Sequence, residues 1–386
     1  MKILLLSMTC GEGHNSIAKA VNNYLENRGV ECKIVDIYRS DKKRQKFNND
    51  AFLWALKHIP NIYQMIWRKQ KARDPNLRYE KGIYNNDIDH VIDDIESEIK
   101  FYKPNAIICT HNYASGIVSK LRHLGKIDRN IFLYSILTDF FPHPYWESSV
   151  DVDKVFIPNS FAIPQMIEKG FKKEQLIETG LPINAKFYQK LDKNLIKEKL
   201  SIKQDFVIMV ASGGYGIGNN DRVVKNILKT NLNVGIINLN GKNEKSKKKI
   251  DKLIKKKGLD NVYNFGFVNN VDELMSASDL IVGRSGCVTL TEAICKSLPI
   301  IVRENVKMNE IENADILVKE NIAIRLKSLK QLRNVLKFLY DNPQVYEQMK
   351  QNCEKQKKLN SCKIICEYVI ENNIKSGEWK WKRFWY

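Results

Sequence analysis

Short aliphatic runs recur along the chain, each followed by a stretch in which apolar positions return every three or four residues. The runs fit strands buried on both faces, and the intervening stretches fit amphipathic helices. Lys2–Met8 predicts a strand. Gly13–Arg28 predicts a helix with Ile17, Val21, Tyr24 and Leu25 on one stripe, and Glu31–Ile37 a second strand. Ala106–Cys109, Ile131–Leu137 and Lys154–Ile157 extend this first series. Gly180-Leu-Pro182 halts regular structure, which places a linker near Ile183–Leu191. The alternation then restarts with Phe206–Ala211, Asn233–Asn238, Val262–Phe265, Asp279–Val282 and Pro299–Val302. A long polar helix from about Gln344 to Asn373 and an aromatic tail, Gly377–Tyr386, close the chain. The pattern predicts an α/β protein with two Rossmann-like halves, and ligands at the carboxyl ends of the strands. The expected domains are 1–185, 186–355 and a C-terminal segment, 356–386.

One insertion, about 41–75, breaks this rhythm. Lys42–Arg73 holds nine Lys/Arg against the single acid Asp50, interleaved with Trp54, Trp67 and other apolar residues. Aromatic and basic residues together suit a membrane headgroup interface; a helical hairpin packed on its own domain is the alternative. The whole chain, 386 residues, carries a formal charge of +19. That favours a polyanionic partner (nucleic acid, anionic membrane or phosphorylated substrate), unless it merely reflects a Lys-rich genome. No apolar run reaches the roughly 18–20 residues of a membrane span. Met1–Leu6 reads as a buried first strand and not a signal peptide, so a cytoplasmic protein is expected. Eight scattered cysteines without a C-x-x-C pair are expected to be reduced thiols.

Candidate chemistry gathers at strand ends. Ile281–Ala293 reads as a strand, a turn at Gly283, Ser285 and Gly286, and then a helix bearing Thr289 and Glu292. The amide donors and positive dipole end at that helix N-terminus suit a phosphate, and a nearby carboxylate suits sugar hydroxyls. Ser212-Gly-Gly-Tyr-Gly216, continuing to Gly218, is a second glycine-rich turn whose bare amides suit a diphosphate; it lacks the Gly-Lys-Ser/Thr ending of a P-loop. In the other half, Gly11-Glu-Gly13-His14 places a histidine at a helix start. There the helix dipole is expected to keep it neutral, as a base or as a cap. Asp139 follows the fourth strand and either orients His14 or is itself the base. His111 ends the third strand, and His143 and Trp146 lie on the Pro-stiffened loop after Asp139.

Seven segments, in order, resemble the glycolipid-forming glycosyltransferases of the processive diacylglycerol glucosyltransferase and monogalactosyldiacylglycerol synthase type. More distantly they resemble the transferase that makes lipid II. The segments are Gly11–His14 with Ala18; Thr138-Asp139 through His143-Pro144-x-Trp146; Gly180–Ile183 with Phe187; Ser212–Gly216; Gly266–Val268; Thr289–Ala293; and Asn309–Asn313. The resemblance covers about residues 1–350. It implies a GT-B fold, two Rossmann-like domains facing across a cleft, with the C-terminal helix packing back on the N-terminal domain. It assigns His14 as base with Asp139 as partner or alternative. It puts Ser212–Gly216, Ser285 and Gly286 around the diphosphate, Phe267 and Val268 by the uracil, and Glu292 on the ribose. Asn309, Glu310 and Asn313 fall on the donor sugar and its phosphate side. Gly13, His111, His143 and Trp146, with Trp54 and Trp67, fall on the acceptor and membrane side. The chain departs from the family at Arg284-Ser-Gly-Cys287, where Lys-Pro-Gly-Gly is usual, and at Asn309-Glu310, where Gln-Glu is usual; both bear on the donor's identity.

The function implied is an inverting transfer of a hexose from UDP-glucose or UDP-galactose to diacylglycerol or a glycosyl-diacylglycerol. The site would be the inner face of the cell membrane, with an anionic lipid surface as partner and with no cofactor or required metal. The alternatives are a transferase acting on a polyprenyl-linked or soluble acceptor and, further off, a basic nucleic-acid-binding protein. The sequence contains no nucleic-acid recognition motif.

Overall fold

A computed structural model describes residues 1–9, 12–58, 91–303 and 309–375. The chain divides into two compact units, Met1–Asn184 with Asn360–Tyr386, and Ala185–Leu359.

The first unit is built on β1 (Lys2–Ser7), α1 (Gly13–Asn27), β2 (Glu31–Asp36), α2 (Lys42–His58), α3 (Ile92–Tyr102), β3 (Ala106–Cys109) and α4 (Asn112–His123). It continues through β4 (Phe132–Ile136), β5 (Lys154–Ile157), α5 (Ala162–Glu168) and β6 (Leu176–Glu178). Its six parallel strands run in the order β2-β1-β3-β4-β5-β6. Ile3–Leu6 and Ala106–Cys109 are fully buried, because helices cover both faces of the two central strands. The strand order reverses between β1 and β3, so the loops leaving these two neighbours diverge to opposite faces and leave a crevice at their carboxyl ends.

The second unit contains α6 (Lys193–Lys199), β7 (Phe206–Ala211), α7 (Asn220–Leu228), β8 (Val234–Leu239), α8 (Glu244–Lys257), β9 (Val262–Phe265), α9 (Val271–Ser276) and β10 (Leu280–Gly283). After these come α10 (Cys287–Cys295), β11 (Ile300–Val302), α11 (Asn309–Lys319), β12 (Ala323–Arg325), α12 (Leu332–Asp341) and α13 (Pro343–Gln356). Its sheet is also parallel, β12-β11-β10-β7-β8-β9, and reverses between β7 and β10. The two reversals therefore place the His14 turn beside the Thr110-His111 turn in one unit, and the Ser212–Gly218 turn beside the Gly283–Gly286 turn in the other.

The expected single long C-terminal helix is two helices. Helix α13 ends at Gln356, and α14 (Ser361–Lys375) begins after a break in which Asn360 takes φ +65°. Asn tolerates the left-handed region better than other side-chain-bearing residues, so it ends a helix without a Gly or Pro signal. The break returns the chain to the first unit. There α14 buries Ile365, Cys366, Val369 and Ile370. The Tyr24 hydroxyl donates to Glu367 Oε1 at 2.9 Å, and Arg28 pairs with the same oxygen at 2.8 Å. The Tyr368 ring meets Phe156 edge-on at 5.7 Å. β6 and β12, three-residue edge strands, carry too short an apolar run to be seen in the sequence.

Arg39 ties the end of the β2 connection to α3. It precedes α2, and its guanidinium binds Asp94 (Nε–Oδ2 3.0 Å) and Glu98 on α3; Lys33 also pairs with Glu98, at 2.7 Å. Trp67 and the aromatic tail lie outside the described residues.

Ile365→Ala should leave a cavity between α14 and the first unit and cost about 2–5 kcal/mol. Urea unfolding followed by native-state proteolysis should show the loss in fragments of the first unit, with the second unit's resistance unchanged.

Candidate active site

In the first unit, the histidine expected from the sequence stands where three strand ends meet. His14 is the second residue of α1. Its Nδ1 lies 2.7 Å from the carbonyl oxygen of Thr110, at the end of β3, and 3.2 Å from Thr138 Oγ1, after β4. A carbonyl oxygen only accepts, so Nδ1 carries the proton and Nε2 keeps its lone pair in the neutral ring. Burial lowers the His14 pKa below its ordinary value, while the Asp139 carboxylate and the Thr110 hydrogen bond oppose this. Burial thus favours the neutral ring. The ring's orientation comes from Thr110, and Asp139 acts on it as a nearby negative charge. Thr110's carbonyl role went unnoticed because any residue supplies that group.

His111 and His143 were expected on the acceptor side. Both are caps. His111 Nδ1 accepts from Tyr113 N at 3.0 Å at the start of α4, and His143 Nδ1 accepts from Tyr145 N at 3.2 Å. Their rings nonetheless adjoin the site: the His111 and His14 ring centres are 4.4 Å apart, edge to face. Burial takes His111 well below its ordinary pKa and His143 down to about 3. Trp146 is corrected outright. It is 2% exposed, sits in the first unit's core against Phe171 and cannot face a membrane. Trp54, by contrast, is 53% exposed on α2. Gly13 opens α1, and Gly11 lies outside the described residues.

Behind His14 a polar network unmarked in the sequence holds the β1–α1 connection. Thr9 donates to Asp36 Oδ2 from its amide (2.8 Å) and its hydroxyl (2.6 Å). Asn15 Nδ2 donates to Thr9 Oγ1 at 3.0 Å, and Ser7 Oγ to Asn15 Oδ1 at 2.7 Å. This anchors α1, and so His14, to the carboxyl ends of β1 and β2.

In the second unit, the strand ends enclose a cavity of about 120 Å³ whose wall includes Gly213, Gly214, Phe267, Val268, Thr289 and Glu292. Six residues separately expected to bind a nucleotide sugar are thus brought together. Phe267 remains 56% exposed at the rim, and the Lys242 ammonium lies 5.0 Å from the centre of the Tyr215 ring and 5.6 Å from that of Phe267. Gly286 caps α10, whose first turn carries Thr289. Burial pushes the Glu292 carboxyl up to about 8; Lys186 opposes the shift and Asp272 adds to it. Lys186 and Asp272 form an ion pair at 2.8 Å beside it. Neither was marked in the sequence, where Lys186 is one cation among many.

Other expected ligands stand one layer back. The Gly216 amide donates to Gly213 O at 2.9 Å, within the turn, so it is not a donor left for phosphate. Gly216 has φ +61°, and a Cβ there would overlap the Asn240 carbonyl. Glycine is required by that backbone contact. Ser212 and Ser285 are buried, and Asn313, fully buried, donates from Nδ2 to Ser285 O at 3.3 Å. Asn313 thus supports the turn before α10 from beneath, where a sugar ligand had been expected. Asn309 and Glu310 begin α11, but their side chains lie outside the described residues. Among the described residues no three His, Cys, Asp or Glu side chains converge as metal ligands.

Glu292 carries a testable signature. Its folded pKa of about 8 exceeds the ordinary 4.5. Between these values the folded state keeps a proton that the unfolded state has lost, so its stability contribution is full below 4.5 and is lost as pH rises to about 8. Glu292→Gln should therefore raise the melting temperature relative to wild type by an amount that grows from pH 5 to pH 9. A pH-independent difference would contradict the buried carboxyl.

Both halves of the chain are similar to known proteins. Residues 14–183 match the monogalactosyldiacylglycerol (MGDG) synthase model, and residues 207–363 match the glycosyltransferase family 28 C-terminal domain. The processive diacylglycerol β-glucosyltransferase of Bacillus cereus (strain B4264) is 26% identical over 328 residues, 84% of this chain and 82% of its own. The S. aureus MnaA–UDP co-structure shares the fold with a TM-score of 0.64 at 16% identity, covering 99% of this chain and 98% of that one. Acinetobacter baumannii MurG gives 0.64 at 14% identity, covering 96% and 99%. Two family models running from residue 14 to residue 363, on a fold shared with solved transferases, place the chain among the GT-B glycosyltransferases, with an N-terminal half of the MGDG synthase type and a C-terminal half of the family 28 type.

Proposed function

We propose that the protein transfers a hexose from UDP-glucose or UDP-galactose to the hydroxyl of diacylglycerol, or of a glycosyl-diacylglycerol, at an anionic membrane surface. The observation that carries this reading is the hydrogen bond of His14: Nδ1 lies 2.7 Å from the Thr110 carbonyl, which leaves Nε2 as the ring nitrogen to take a proton. The acceptor hydroxyl gives its proton to Nε2 as its oxygen attacks the anomeric carbon. The bond from that carbon to the UDP oxygen breaks on the opposite side, the diphosphate keeps the electron pair, and the anomeric configuration inverts. Asp139 favours the imidazolium that forms. The N-terminus of α10 and the amides of the glycine-rich turn stabilise the growing negative charge on the diphosphate, so this route requires no metal ion. The Bacillus relatives support the lipid acceptor, and the fold neighbour solved with UDP supports the nucleotide.

Helix α2 supports the membrane location. Lys43, Lys46, Phe47, Asp50, Ala51 and Trp54 share one helix face, with Phe47 71% exposed. Exposed rings beside ammonium groups suit a headgroup region, where each lysine near anionic lipid contributes about 1 kcal/mol. No described helix is long and apolar enough to cross a membrane. We place the protein on the cytoplasmic face, held peripherally.

Purified protein with anionic vesicles containing diacylglycerol should release UDP from a UDP-hexose and yield a glycosylated lipid. Failure with every UDP-hexose would sink the proposal. His14→Ala should lower turnover by roughly a hundredfold or more, and near-normal turnover would remove His14 as the base. The double variant Lys43→Ala/Lys46→Ala should weaken vesicle binding by roughly thirtyfold, leaving donor binding unchanged. Unchanged vesicle sedimentation would point to an acceptor met without this face, polyprenyl-linked or soluble.

A further inference from the structure

Arg303 follows β11 and is 6% exposed, and nothing about its sequence neighbourhood marks it as part of a site. Its guanidinium lies against the glycine-rich turn. Nη2 donates to Ser212 Oγ at 3.1 Å, and Nη1 approaches Asn220 Oδ1 at 3.5 Å. Ser212 Oγ donates to the same Asn220 oxygen, and Asn220 Nδ2 donates to Leu239 O at 2.9 Å. Ser212 opens the turn and Asn220 starts the helix after it. One side chain from a more distant strand therefore joins both ends of the turn, while Asn220 ties them to β8.

Gly218 meets the same guanidinium. It has φ +144°, and a Cβ at this position would overlap Arg303 Nη2. The turn needs glycine at 218 for its backbone conformation, and the guanidinium fills the space beside it. A guanidinium stays charged at any pH the protein meets, and burying it is costly without nearby compensation. Seated against a turn that suits a diphosphate, it adds positive potential where negative charge is to be held, and its planar fork fixes the positions of Ser212 and Asn220 together.

We propose that Arg303 is the positioning residue for the donor's diphosphate. It clamps the Ser212–Gly218 turn in its binding shape and sets the selectivity of the cavity for diphosphate over nucleoside. This rests on the reading of the second unit's cavity as a UDP-sugar site. Its action runs through the turn, so its loss should affect ligands according to their phosphates and leave recognition of the base and ribose intact.

Uridine, UMP and UDP titrated into the full-length protein by calorimetry, with competition for the weaker ligands, test this directly. Arg303→Met should weaken UDP roughly tenfold or more while uridine changes less than about twofold, with UMP between them. Arg303→Lys, which keeps the charge without the fork, should lie between wild type and Arg303→Met. In turnover the donor KM should rise more than kcat falls. Wild-type protein that binds no UDP would overturn the donor reading, and this proposal with it. Wild-type binding of UDP that Arg303→Met leaves unchanged, or weakens by the same factor as uridine, would overturn the assignment of Arg303 alone. Should Arg303→Met not fold, Arg303→Lys decides the matter, because it removes the fork and retains the charge. A UDP-selective loss in that variant supports the proposal, and a wild-type ratio of UDP to uridine affinity refutes it.

Discussion

The hydrogen bond from His14 Nδ1 to the Thr110 carbonyl ties the chemistry of the first unit to its topology. It spans 96 residues of sequence and 2.7 Å of space. It exists because β1 and β3 are parallel neighbours in register, Leu6 opposite Cys109, so that the turns following them start at the same level. A backbone acceptor cannot change its protonation state, so the imidazole is left with one tautomer over the whole range in which it is neutral. The network of Ser7, Thr9, Asn15 and Asp36 serves the same bond by fixing the start of α1, and the α14 packing steadies the rest of that helix.

The second unit meets a different constraint, the close approach of one backbone to another. The turn after β7 lies against the turn after β8 so tightly that Gly216 admits no side chain. Lys242 N donates to Gly214 O at 2.9 Å, and Asn243 Nδ2 donates to Gly216 O at 2.9 Å. Part of the hydrogen-bonding capacity of the glycine-rich turn is thus spent on its own support. Asn313 and Ser212, whose chemistry suits ligand binding, also hold the turns in place. The cavity wall includes Gly213, Gly214, Phe267, Val268, Thr289 and Glu292. Glu292 combines partial exposure to that cavity with the pull of a buried environment, which is why its carboxyl keeps its proton near neutral pH.

Much of this was legible in the chain itself. Ala106–Cys109, Lys154–Ile157, Phe206–Ala211 and Val262–Phe265 have the boundaries their apolar runs predict. Parallel strands deliver their carboxyl ends to one edge, so His14, Thr110 and Thr138 were brought together, as were Gly213, Thr289 and Glu292. The misses share a cause. Trp146, with a ring suited to an interface, fills a core, and an Asn breaks what reads as one C-terminal helix. Each of these residues has two uses of similar local plausibility, and packing chose between them.

The sequence by itself determined the α/β alternation, the two sheets, the residues at their edges and the kinship with glycolipid-forming transferases. These depend on local periodicity and on ordered motifs, which need no knowledge of distant neighbours. Only the tertiary structure decided which ring nitrogen of His14 is free, which carboxyl stays protonated, and that Arg303 lies against the glycine-rich turn. Those are properties of electrostatic environment and side-chain direction, set by groups up to a hundred residues away that the fold brings within a few ångströms.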